Sequence, residues 1–115
     1  MDPITLAALA DFPNRLEAYY SLLAKERCYS TADTTRVFAQ FRDARTKTIE
    51  LIAKLTPQQL RRPAMFEGQR VTLRGLVHNL CSHDQQHLAG MQWLLARMAS
   101  TPDPERECES SASPR

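Results

Sequence analysis

The sequence predicts an all-α protein, an up-and-down helical bundle. Three observations predict it: helix start signals recur along the chain, apolar residues follow steps of three and four over long stretches, and no alternating β-branched run occurs. Valine is found only at positions 37, 71 and 77, and glycine three times in 115 residues. Strands therefore have little to be made from.

The first helix starts at Asp2-Pro3, an N-cap followed by a first-turn proline. Its apolar residues are Leu6, Leu9, Leu16, Tyr20 and Leu23. Pro13 falls in the middle and removes the bond to residue i−4, so a kink or restart is expected there. The second helix opens at Ser30-Thr31-Ala32-Asp33, a capping signature. Its stripe is Val37, Phe41, Ala44, Leu51 and Leu55, widened by Phe38, Ile49 and Ile52. Arg42, Asp43, Arg45, Lys47 and Glu50 are assigned to the wet side. Thr56-Pro57-Gln58-Gln59 caps a short helix that ends before Pro63. A loop with Gly68 leads to the last helix, capped by Thr72 and running to about Met98. The long helices are thus expected near 3–26, 31–55 and 72–98.

The bundle is expected over residues 1–99. From Ser100 to Arg115 the chain is Ser, Pro and Glu with almost nothing apolar, so a disordered tail is expected. The net charge of +2 comes from 15 basic and 13 acidic residues that are interspersed. That balance calls for no nucleic-acid partner. No window approaches a membrane span, and the N-terminus has no basic, apolar leader. Cys28, Cys81 and Cys108 are odd in number and match no zinc or Cys-x-x-Cys spacing. Free thiols in a reducing, cytoplasmic compartment follow.

The last helix carries the chemistry. Its stripe reads Leu73, Leu76, Leu80, His83, His87, Met91 and Leu94. Both histidines are therefore expected to point into the bundle, on one face, as i, i+4 neighbours. Two imidazoles so placed can chelate one metal ion. The same pair also fits two core histidines, each hydrogen-bonded to a neighbour. It is not a zincin motif, because Asp84 and not Glu follows His83. His78 lies about 140° around the helix from His83, away from the pair. Cys81, Met91 and Trp93 are expected to pack in the core.

The run Val71-Thr-Leu-Arg-Gly-Leu-Val-His78-Asn-Leu-Cys-Ser-His83-Asp84-Gln-Gln-His87-Leu-Ala-Gly-Met-Gln-Trp-Leu resembles the last helix of the DinB-like family, with its His-Asp-x-x-His-Leu core. Upstream, Phe41-Arg42-Asp-Ala-Arg45, then Leu55-Thr-Pro-Gln-Gln-Leu60, Arg62-Pro and Gly68, resemble that family's third helix and linker. The resemblance implies a four-helix bundle that binds a divalent metal, zinc or nickel, through His83 and His87 and a third histidine from the second helix. It further implies metal-dependent thiol transfer, isomerisation or hydrolysis, with a small thiol or other small molecule as substrate. The chain departs from the pattern. Phe12-Pro-Asn-Arg-Leu-Glu-Ala-Tyr-Tyr-Ser-Leu-Leu resembles the first helix and is followed, soon after Cys28, by the third. A second register sets Leu6-Ala-Ala-Leu-Ala-Asp11 on the second helix, with Ala8 where the ligand belongs. In both registers the third histidine is missing, which predicts weak metal binding or none. Cys28 or Asp33 are the candidate substitutes.

Two functions compete: a metal-dependent transferase or hydrolase, and a non-catalytic bundle with a degenerate site acting structurally or through a protein partner. With three long helices and one family helix missing, the last helix lacks cover within the chain. A homodimer is the expected remedy, and a two-fold could bring four imidazoles to one ion.

Overall fold

The computed structural model describes residues 1–27 and 33–100. Three long helices dominate: α1, Pro3–Arg27; α2, Thr34–Ala53; and α4, Leu73–Ser100, with the short α3, Pro57–Leu60, between the last two. Two strands, β1 at Pro63–Phe66 and β2 at Gln69–Thr72, form an antiparallel hairpin between α3 and α4. The expected Ser30 cap, Cys28 and nearly all of the expected tail lie outside the described residues. Ser100, placed in that tail by its composition, closes α4 and donates from its hydroxyl to the Ala96 carbonyl at 2.8 Å.

Local chemistry explains where the elements begin. Asp2 accepts from the Thr5 backbone N–H at 2.7 Å and from its hydroxyl at 2.8 Å, which caps α1. Those bonds, with His78 nearby, hold the Asp2 carboxyl below its ordinary value. Thr56 and Gln59 form a complete capping box at 3.1 and 2.9 Å, with Pro57 at the first position. Thr72 accepts from the Gly75 N–H at 3.0 Å and starts α4. Asp33 stands at the N-cap position of α2 and makes no side-chain cap bond.

The loop expected around Gly68 is instead a hairpin. Glu67 and Gly68 both have positive φ, 50° and 77°. Two such residues make a tight turn whose twist matches the flanking strands. Val71 and Ala64 pair across it and are half-buried. Four residues a side are enough to form a ladder when a helix lies beneath it, which the composition alone did not reveal.

The long helices run up, down and up. Leu9 meets Arg45 and Tyr20 meets Phe38, so α1 and α2 are antiparallel. Asp2 lies near His78 and Tyr19 bonds to Gln92, so α1 and α4 are parallel. The core centres on Leu9, Ile52 and Val77, with Leu6, Ile49, Leu80 and Cys81 against it. Trp93, expected inside, is 58% exposed, with the Arg97 guanidinium over its ring at 4.8 Å.

Pro13 does not break α1. It is fully buried within a continuous helix. A proline has no N–H, so the carbonyl four residues back, Leu9, loses its helical donor. Arg45 of α2 supplies a replacement: its Nη1 donates to the Leu9 oxygen at 3.0 Å. The buried defect is thereby satisfied from another helix.

Candidate metal site

Arg45 is the centre from which the site is built. The stripe of α2 placed it on the wet side, yet it is 8% exposed. Besides Leu9, it grips Asp84 of α4 with two nitrogens, Nη1 to Oδ2 at 2.6 Å and Nη2 to Oδ1 at 3.1 Å. Asp84 is 3% exposed. The guanidinium lies 5.3 Å from the ring centres of both Phe12 and Phe41. A forked, charge-assisted pair between aromatic faces satisfies both buried charges. It also fixes the rotation of α4 about its own axis.

That rotation decides where the histidines go. With Asp84 inward, the buried face of α4 runs through Val77, Asp84, Leu88 and Met98. At 100° per residue, His83 and His87 stand roughly 100° and 60° from Asp84, on one flank. Both are exposed in the single chain. The expectation that both rings point into the bundle is therefore corrected. The apolar stripe drawn through them is a second face, half-buried at Leu76, Leu80, Met91 and Leu94. The two rings are nonetheless together, with centroids 4.5 Å apart and planes at 83°. His78, as expected, points elsewhere: its Nε2 lies 3.9 Å from Asp2 Oδ2.

His83 also lines a cleft of about 510 Å³ between the hairpin and α4. Phe66, Leu76 and Leu80 give it apolar walls, and Glu67, Asn79 and Gln86 supply polar groups. The hairpin, missed in the sequence, thus forms one wall of the space beside the histidines. The Glu67-Gly68 dipeptide was the signal that could have found it.

Among the described residues no three His, Cys, Asp or Glu side chains converge on one point. Asp33 is exposed at the start of α2. Cys28, the other candidate substitute, lies outside the described residues. Ala8 is half-buried on α1 and offers no ligand. Cys81 packs against the Leu9, Ile52 and Val77 cluster. Burial pushes its thiol up, and the Asp84 carboxylate pushes the same way. A thiol so disposed is a poor ligand and a poor nucleophile.

The arrangement therefore offers two neighbouring imidazoles on one helix, both open to solvent and one of them, His83, on a small cleft. No helix among the described residues is long and apolar enough to cross a membrane. No curated protein and no solved structure matches the chain. The family model of the DinB superfamily matches residues 5–91, which include α2, the hairpin, both histidines and all but the first two residues of α1. This chain belongs to the DinB superfamily.

Proposed function

We propose that the chain binds a divalent metal, zinc or nickel, through His83 and His87 and uses it in thiol transfer or hydrolysis. The observation that carries this reading is the juxtaposed pair itself. Two imidazoles 4.5 Å apart, both open to solvent, sit on a helix whose rotation a buried ion pair fixes. The donor set suits zinc and nickel, both of which accept imidazole. When bound, such an ion acts as a Lewis acid that favours the deprotonated form of a thiol or water. The chain's own residues do the rest. The Arg45–Asp84 pair orients α4, and the cleft walled by Phe66, Leu76 and Leu80 takes a small apolar group. Glu67, Asn79 and Gln86 offer hydrogen-bonding partners at its edge.

One observation favours a second reading, a non-catalytic bundle. Two histidines are half of a tetrahedral set, and no third ligand joins them among the described residues. Calorimetric titration of tag-free protein with zinc or nickel separates the two. Metal binding is expected, abolished in His83→Ala and in His87→Ala and unchanged in His78→Ala. Absence of binding at millimolar metal would leave the non-catalytic reading.

A further inference from the structure

We infer that a second copy of this chain fills a groove between α2 and α4, bringing the His83–His87 pairs of both copies to one shared metal centre. The groove follows from helix phase. On α4 a partly covered flank runs through Leu76, Leu80, His83, His87, Gly90 and Leu94, in alternating steps of four and three, with its first turn beside the hairpin. On α2 the matching flank is Val37, Phe41, Ala44, Thr48, Leu51 and Leu55, in the same alternation. That spacing is the seam a neighbouring helix packs against. Each seam is open for part of its length: Val37 is 53% exposed and Leu51 69%, and Ala44, Thr48, His83, His87 and Gly90 are exposed, whereas Phe41, Leu55, Leu76, Leu80 and Leu94 are half-buried.

Both seams open on one side of the molecule. On α4, the residues meeting α1, His78 and Gln92, lie about 80–120° to one side of Asp84, and the seam lies about 40–120° to the other. On α2, Arg42 meets Glu17 of α1 on one side of Arg45, and the seam lies on the other. Arg45 and Asp84 face each other, and α2 and α4 are antiparallel. The two seams therefore flank a single groove opposite α1.

This sequence leaves few candidates to fill it from within. Covering α4 from Leu76 to Leu94 takes a helix of roughly 28 Å at 1.5 Å per residue. Residues 28–32 are five in number, and residues 101–115 contain only Cys108 and Ala112 as apolar residues outside proline. A second copy carries the complementary seam. A two-fold axis sets the same patch on itself, which closes the assembly at two chains. It also doubles two imidazoles to four, the number a tetrahedral zinc ion takes. The shared centre rests on the metal reading above, whereas the pairing of grooves does not.

Sedimentation and native mass spectrometry test both parts on the whole chain. Without metal, a species of twice 13.1 kDa is expected at tens of micromolar. Leu51→Glu and Val37→Glu should return it to the monomer with helical circular dichroism intact, since neither side chain is in the core. His83→Ala should stay dimeric and lose metal. Zinc or nickel at one hundred times its own dissociation constant should tighten the dimer about a hundredfold, with one ion per two chains. A wild-type monomer, or a dimer indifferent to both glutamates, overturns the groove. One ion per chain in the dimer overturns the shared centre and spares the metal reading. A dimer that takes no metal overturns the metal reading and leaves the groove standing.

Discussion

Removing the Arg45 guanidinium should be among the most damaging single changes this domain can suffer. The truncation Arg45→Ala strands the Asp84 carboxylate, 3% exposed, without its two bonds at 2.6 and 3.1 Å. It also strands the Leu9 carbonyl, whose helical donor Pro13 cannot supply. Breaking a buried pair from one side costs about 3–5 kcal/mol, and an orphaned carbonyl costs roughly 1 kcal/mol or more. A fold of this size has only about 5–14 kcal/mol to lose. The thermal midpoint should therefore fall on the order of 20 °C, at about 4–8 °C per kcal/mol. Asp84→Ala should cost nearly as much, because it leaves a buried guanidinium half-paired. Replacing both at once, Arg45→Met with Asp84→Leu, should recover most of the loss, since neither charge then remains. Glu17→Gln breaks the partly exposed pair with Arg42 and serves as the control, at roughly 1 kcal/mol or less. Urea unfolding followed by helical circular dichroism gives all four values. Single-mutant losses below about 1 kcal/mol at Arg45 and Asp84, equal to the Glu17 control, would refute the reasoning.

Two further outcomes are expected. Asp2 has its carboxyl lowered below 3.8 in the fold, so the ionised cap stabilises above that pH and its contribution is lost as pH falls through the lowered value. Asp2→Ala should lower the melting temperature at neutral pH, and the gap from the unmodified chain should close below pH 3.8; a gap constant down to pH 2 would contradict this. Cys81, its thiol raised by burial and by Asp84, should react with iodoacetamide at pH 8 more slowly than in urea-unfolded chain. Site-resolved peptide mapping measures this, and equal rates in both states would count against it.

Helix positions were legible in the sequence because start signals are local. Asp2, Thr56 and Thr72 each cap the helix their position announces. The phase of α2 and α4 was less legible. Each helix has two apolar faces, and periodicity centres on the one that is only half-buried in the single chain. The inner faces are centred on Arg45 and Asp84, and a hydropathy pattern scores a buried charge as a wet position. Only their mutual pairing makes them core residues, and that pairing spans 39 positions of sequence. Both nevertheless stand in the stretches that resemble the DinB-like pattern. The histidine pair was placed correctly relative to itself, since i, i+4 adjacency follows from helix geometry alone, but not relative to the bundle.

Pro13 makes the first helix unable to complete itself alone. Its Leu9 carbonyl waits for a donor that arrives only with α2, and that donor is held in turn by α4. The three long helices are thus tied through one guanidinium in the manner of a keystone, with each face of the joint needing the others. A peptide spanning residues 1–27 would fray about Pro13, and a chain cut before α4 would leave Arg45 without its counter-charge. Assembly should accordingly be all or none, with unfolding transitions that coincide whichever helix is watched. A defect in one helix has become the source of the domain's cooperativity.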